Sequence, residues 1–206
     1  PLIQFTGIQL TTLMQAWRSI LVVSIPATAT NLIGPVSSGF IVSLLAGYGQ
    51  STVAGFAIAS RVEGLFVIPL FALSASIGPF VGQNFGAKAH DRADAAMRLS
   101  FRWSIYWGSI VALGLYFVAE PLVYLFDNDP QVAEAAILYL MVVPISYGTW
   151  GVIMMASAIF NALGCPLRST LISVFRMLII YVPLAFLLGN QWQVFGIFFA
   201  GAAANV

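Results

Sequence analysis

The sequence contains few charged residues, and this decides the class of protein first. Only 7% of its 206 residues are charged and 60% are hydrophobic, whereas a soluble domain averages about 25% charged residues. A surface with so few charges does not keep a chain monomeric in water. The apolar runs last about 20 residues, which is the length that a helix needs to cross a bilayer. The sequence therefore predicts an all-α, polytopic membrane protein.

The sequence also lacks the groups that most enzyme sites need. Its single cysteine, Cys165, excludes an internal disulfide and a cysteine-based metal site. Its single histidine, His90, lies in the most polar loop, which argues against a Ser-His-Asp triad and a histidine–carboxylate metal cluster. No phosphate-binding loop for ATP is present, and a net charge of +1 gives no basic face for nucleic acid. We therefore expect no enzyme activity, cofactor, bound metal or nucleic-acid partner.

Six apolar segments follow one another along the chain and predict a six-helix transmembrane bundle in contact with the lipid bilayer. The polar stretch 82–102 is expected to be a loop, with an interfacial helix over 87–97. The last segment is too short to cross a bilayer, and the chain begins at Pro1 rather than at methionine. We therefore expect this sequence to be part of a longer one. The predicted spans are 20–46, 53–81, 103–119, 135–163, 171–188 and 194–206.

The distribution of basic residues predicts the orientation of the bundle. If the six spans alternate in direction, seven of the eight basic residues lie on the side that holds the N-terminus and the loop 82–102. By the positive-inside rule this side is cytoplasmic. Arg176 lies about 7 Å inside the fifth span, at 1.5 Å per residue, and is expected to extend to the cytoplasmic face. The seven residues are Arg18, Lys88, Arg92, Arg98, Arg102, Arg168 and Arg176.

Arg61 and Glu63 are the two charged residues within the most apolar stretch, 53–81. A charge near the bilayer centre costs roughly 2.5–3.5 kcal/mol on insertion scales, and such groups usually face a bundle interior or a water-filled cavity. Two residues apart on a helix, the side chains do not face each other. Glu63 is predicted to bind a proton or a cation, and Arg61 to hold a neighbouring helix or an anionic group. The alternative is that each forms a structural ion pair elsewhere.

Several uncharged residues are candidates for the lining of a substrate cavity. Two of them precede the Gly34-Pro35 pair, where a proline frees backbone groups. The others lie on the fourth apolar segment and offer aromatic, amide and thioether surfaces. Core packing and hydrogen bonds to the residues' own backbone are the alternative roles. The candidates are Thr30, Asn31, Tyr147, Trp150, Met154 and Asn161.

Four short stretches together resemble the multidrug and toxic compound extrusion (MATE) transporters. The first is Val-Gly-Gln-Asn-Phe-Gly-Ala at 81–87, followed by Asp91-Arg92-Ala93. The others are Phe-Asp-Asn-Asp-Pro at 126–130, Asn-Ala-Leu-Gly at 161–164 and Tyr-Val-Pro-Leu at 181–184. Their order and spacing are more specific than any single stretch. The resemblance covers roughly residues 15–206.

The resemblance implies that residues 1–206 form the C-terminal lobe, helices seven to twelve, of a twelve-helix transporter of the bacterial inner membrane. It further implies an N-terminal six-helix lobe as partner, and antiport of H⁺ or Na⁺ against small cationic amphipathic drugs. Many members carry a glutamate in the seventh helix and an aspartate in the tenth. The corresponding stretches here, 27–31 and 147–150, contain no acidic residue. Coupling is therefore assigned to Glu63 or to a carboxylate of the other lobe.

Two alternative functions are also compatible with the sequence. A flippase for lipid-linked oligosaccharides or polysaccharides, from the same superfamily, needs a more cationic cavity, to which Arg61 and Arg176 would contribute. A structural membrane subunit that transports nothing would show no flux of any cargo in liposomes.

Overall fold

The structure is a computed structural model that describes residues 10–206, except for the side chains of residues 12, 22–23, 26–27 and 29–31. The described residues form helices and turns and no strand, which confirms the all-α class. The elements in chain order are α1 (Leu10–Ala46), α2 (Gln50–Gly86), α3 (His90–Tyr124), α4 (Pro130–Val142), a 3₁₀ segment (Val143–Ser146), α5 (Tyr147–Ala162), α6 (Pro166–Val174), a π-helical segment (Phe175–Tyr181) and α7 (Val182–Ala204).

The helices end where the sequence supplies turn chemistry. Gly49 and Gly164 have φ angles of 123° and 74°, a left-handed conformation that only glycine adopts without cost. Asp129 caps α4, because its side chain accepts a hydrogen bond from the amide of Gln131, and Pro130 occupies the first turn. The polar stretch 82–102 is mostly helical, since α2 and α3 extend into it and leave a short turn at 87–89.

Two irregular segments interrupt the helices near the middle of the bundle. Pro144 has no backbone N–H to donate, and the chain passes through 3₁₀ geometry from Val143 to Ser146. The hydroxyl of Ser146 donates to the Val143 carbonyl at 2.9 Å. The second irregularity is the π-helical segment before Pro183. Single π-helical turns within α-helices are frequent at functional sites.

The chain reverses direction within α7. Gln193 has non-helical backbone angles, φ 53° and ψ −136°. A β-carbon built on Gly196 would lie 2.1 Å from the carbonyl oxygen of Leu188, whereas residues eight apart on a straight helix are about 12 Å apart. The parts of α7 before and after Gln193 therefore form a hairpin. This hairpin brings Gly201 to within van der Waals distance of Tyr181.

The bundle packs around α2, which contacts α3, α4 and α5. Glycines allow the closest approaches: Gly55 lies against the backbone of α4, and Gly108 lies against Gly148, as is common between membrane helices. The indole of Trp107 donates to the Phe66 carbonyl at 2.9 Å, and the hydroxyl of Ser104 donates to the Gly148 carbonyl at 2.8 Å. These contacts hold α2, α3 and α5 in a fixed arrangement.

Four helical stretches among the described residues are long and apolar enough to cross a membrane. They are Gln50–Gly86, His90–Tyr124, Pro130–Ala162 and Pro166–Ala204, and the last of them contains the reversal at Gln193. A shorter apolar helix covers Leu32–Ala46. The predicted limits of the six spans, and the predicted orientation, stay predictions.

Candidate functional site

A cavity of about 360 Å³ lies inside the bundle, between α1, α2, α4, α5, the π-helical segment and the end of α7. It combines one acidic side chain, one basic side chain and a wall of aromatic rings. This mixture differs from the apolar core around it. The lining residues that carry polar groups or large rings include Phe56, Glu63, Tyr139, Trp150, Arg176, Tyr181 and Asn205.

Glu63 projects from α2 into this cavity and is half-buried. Its carboxylate accepts a hydrogen bond from the hydroxyl of Tyr139 on α4. A hydrogen bond to an ionised carboxylate is stronger than one between two neutral groups, so the bond from Tyr139 stabilises the charged form of Glu63. Among the described residues Glu63 forms no ion pair. It is therefore an acid inside the bundle that a mobile cation or a proton can neutralise.

Arg176 also lines the cavity, contrary to the prediction that it extends to the cytoplasmic face. Its Nη1 donates a hydrogen bond to the amide oxygen of Asn205. The Asn205 amide nitrogen in turn donates to the Ser146 hydroxyl at 2.9 Å. The prediction rested on the reach of a flexible side chain, whereas the π-helical segment that carries Arg176 directs the guanidinium inward, where Asn205 holds it.

Aromatic rings form one wall of the site. The ring of Tyr139 meets Phe56 edge to face, with centroids 5.5 Å apart, and it meets Phe198 in the same way at 5.0 Å. Trp150 and Tyr181 add two further rings to the lining. Aromatic pairs prefer this edge-to-face arrangement because of the quadrupoles of their rings. The wall therefore offers a preformed apolar surface beside the Glu63 carboxylate.

The structure brings only some of the candidate residues to the cavity. Glu63 and Trp150 line it. Arg61 is exposed on another face of α2, and Asn161 is exposed at the end of α5. The remaining described candidates, Tyr147 and Met154, are respectively buried and half-buried and do not line the cavity.

The side chains of Thr30 and Asn31 lie outside the described part of the chain. The functional roles assigned to the candidate residues from the sequence stay predictions.

Three residues of the site were not predicted from the sequence or were placed wrongly. Tyr139 is one aromatic residue in an apolar stretch, and nothing in its own neighbourhood indicates the contact with Glu63, 76 positions earlier. Asn205 lies in the short last segment, whose contacts depend on the reversal at Gln193. Arg176 was noticed, but the sequence does not give its direction. An asparagine and an arginine within apolar spans are the signal that could have found the pair, because such groups need partners.

Comparison with known proteins identifies relatives over most of the chain. The MatE family model matches residues 26–187. A FAD transporter of Shewanella oneidensis is 35% identical over 169 residues, which is 82% of this chain and 37% of that protein. A probable multidrug resistance protein of Bacillus subtilis, YoeA, is 24% identical over 87% of this chain and 39% of its own length.

Solved structures agree with these relatives. The bent form of the Vibrio cholerae MATE transporter VcmN superimposes with a TM-score of 0.87 and 28% identity, over 98% of this chain and 45% of that one. A mutant form of the same transporter gives a TM-score of 0.89. The chain thus spans less than half the length of each relative that it matches here.

Proposed function

The chain belongs to the MatE family, and on that premise we propose that it forms one lobe of a cation-coupled exporter of amphipathic aromatic molecules. The family consists of transporters rather than enzymes, and the chain is a multi-pass membrane protein. The second lobe would be the N-terminal six-helix lobe implied by the resemblance. The protein would lie in a bacterial inner membrane with the stretch 82–102 in the cytoplasm, where most of the basic residues then lie.

The cavity around Glu63 is the observation that carries this proposal. The negative charge of Glu63 can be neutralised either by a proton or by a bound cationic cargo. One carboxylate cannot bind both at the same time. Proton and cargo therefore compete, and competition for one site is what exchange transport requires. Three tyrosines interact with this carboxylate: Tyr139, which donates a hydrogen bond to it, Tyr147 and Tyr181. Arg176 lines the same cavity, and among the described lining residues it is the one other side chain that carries a charge at neutral pH.

Alternating access then follows from differential affinity. A ligand shifts a conformational equilibrium only as far as its affinities for the two states differ. We propose that the inward-open state holds Glu63 charged and binds cargo, and that the outward-open state exchanges cargo for a proton or Na⁺. The rings of Tyr139, Trp150 and Tyr181 would contact the apolar frame of the cargo.

The leading cargo is a small cationic amphipathic drug, and a flavin dinucleotide is the second candidate. The probable multidrug resistance relatives favour the first. The 35% identity to a FAD transporter favours the second, as does the guanidinium of Arg176 in the cavity. A lipid-linked oligosaccharide flippase is less well supported, since a single arginine opposite a single glutamate leaves the described cavity without the net positive charge that such a cargo needs.

The proposal is tested with the complete protein in liposomes loaded at a pH different from the bath. The ethyl ester of rhodamine B is a suitable cargo because it is a fluorescent, permanently cationic aromatic molecule. It should accumulate on the acidic side of the membrane, and nigericin, which collapses the pH gradient, should abolish the accumulation. A Na⁺ gradient is tested in parallel to identify the coupling ion. Flux that responds to neither gradient contradicts the coupling, and no flux at all indicates a structural subunit.

A further inference from the structure

The guanidinium of Arg176 is held in a fixed position but lacks an anionic partner in the described part of the chain. Its Nη1 donates to Asn205, whereas its Nε is buried and has no hydrogen-bond partner. An arginine offers five N–H donors in a rigid fork, and the hydrogen bond to Asn205 uses one of them, so the donors on the two terminal nitrogens that Asn205 does not use remain for another group. A buried N–H donor without a hydrogen-bond partner is costly, which raises the question of what completes this site.

The position of Arg176 is built by three elements rather than by a flexible side chain alone. The π-helical segment carries the arginine, the end of α7 supplies Asn205, and the 3₁₀ segment supplies Ser146, whose hydroxyl accepts from Asn205 at 2.9 Å. Ser146 is anchored in turn on the Val143 carbonyl at 2.9 Å. Each hydrogen bond in the series from Val143 through Ser146 and Asn205 to Arg176 orients the next. The guanidinium is therefore preorganised, which lowers the entropic cost of binding a ligand.

Glu63 does not satisfy this cation. Both side chains line the same cavity, yet no ion pair joins them, and the Glu63 carboxylate accepts its hydrogen bond from Tyr139 instead. The cavity thus presents an acidic and a basic group at separate positions, with aromatic rings in the lining. A ligand that complements all three features carries a cationic group, an anionic group and an aromatic frame.

We infer that Arg176 forms an anion subsite that binds the carboxylate or phosphate of an aromatic cargo, while Glu63 takes the cationic end. This inference rests on the proposed function, since it assigns a cargo group to the same cavity. It makes Arg176 the residue that discriminates acidic and zwitterionic aromatic molecules from purely cationic ones. Guanidinium groups suit this task because they bind carboxylates and phosphates with two parallel hydrogen bonds.

Rhodamine B and its ethyl ester test the subsite directly, because the two dyes share one cationic aromatic frame and differ only in whether the carboxylate is free. Binding to the purified complete protein is measured by fluorescence polarisation. Loss of a hydrogen bond to a charged group corresponds to about 10- to 100-fold in affinity. Arg176→Gln should therefore weaken binding of rhodamine B by about that factor and leave binding of the ester unchanged or tighter. Arg176→Lys should recover part of the affinity for rhodamine B.

Arg168→Gln is the matched control, since Arg168 is exposed, lies eight residues earlier and does not line the cavity. It should change neither affinity. Binding of the ester by Arg176→Gln shows that this variant is folded. Equal weakening of both dyes by Arg176→Gln overturns the inference, and so does no weakening of either. If inorganic phosphate alone competes as strongly as rhodamine B, the site binds free anions and the assignment to cargo is wrong.

The anion subsite and the cation coupling are tested by separate measurements, so either one can fail without the other. The dye-binding comparison reports on Arg176 without any ion gradient, whereas coupling is measured as gradient-driven flux of the ester, which carries no acidic group. A protein that fails the first test and passes the second is a cation-coupled exporter without the anion subsite.

Discussion

Replacing Glu63 with glutamine is expected to abolish transport driven by a pH gradient. Glutamine keeps the shape of the side chain and can still accept a hydrogen bond from Tyr139, but it neither binds a proton nor carries charge. If one proton is exchanged for one monovalent cargo, a gradient of about two pH units supports roughly 100-fold accumulation, at about 1.36 kcal/mol per unit. The Glu63→Gln protein should reach a ratio of about one. Accumulation of rhodamine B ethyl ester in liposomes measures both values.

Glu120→Gln is the matched control for this variant. Glu120 is an exposed acidic residue near the end of α3, away from the cavity, and its replacement should leave accumulation unchanged. Glu63→Asp should retain part of the coupling, because the acidic group is kept but the shorter side chain places it further from Tyr139. If Glu63→Gln accumulates the dye as well as the unmodified protein does, the coupling group lies elsewhere and the role of Glu63 is refuted.

Gly108→Ala is expected to destabilise the packing of α3 against α5 strongly. A β-carbon at this position would lie 2.2 Å from the backbone nitrogen of Gly148 and 2.9 Å from the carbonyl carbon of Tyr147. Backbone atoms cannot rotate away as a side chain can, so α3 and α5 must separate. Overpacking of a core typically costs about 1–3 kcal/mol and occasionally more, and we expect the upper end here. The loss of stability is measured by heating the protein in detergent and determining how much monodisperse protein remains at each temperature.

Gly114 on the same helix provides the comparison. It is exposed, and nothing lies within 4 Å of a β-carbon built on it, so Gly114→Ala introduces the same methyl group without a clash. Alanine has the higher helix propensity, and this variant should be as stable as the unmodified protein or slightly more so. Equal melting temperatures for the two variants would show that the close contact between α3 and α5 does not limit stability.

Composition was enough to predict the fold class, because the long apolar runs and the scarcity of charge leave few alternatives to a helical membrane bundle. The charge pattern also identified Glu63 as a candidate, since an acidic residue within an apolar span is energetically costly and usually has a functional role. Helix geometry predicted that Arg61 and Glu63 point away from each other. In the structure Glu63 lines the cavity and Arg61 is exposed on another face of α2.

The partners of Glu63 could not be predicted in the same way. Tyr139 reaches it only because α2 and α4 pack side by side, and a single sequence does not encode that pairing locally. Arg176 was misplaced because the π-helical segment and the hydrogen bond to Asn205 determine its direction. Asn205 can contact Arg176 only because the chain reverses direction at Gln193. This residue has a positive φ angle, but it is not a glycine, so the sequence does not indicate a turn there.

Competition between proton and cargo at Glu63 is the central claim, and the protons released on binding test it most directly. The complete protein, in weakly buffered solution, is titrated with saturating rhodamine B ethyl ester over a series of pH values. We predict release of up to one proton per bound dye at pH values where the empty site is protonated, and no release from the Glu63→Gln protein. Binding without proton release at every pH, or equal release from both proteins, would contradict the account.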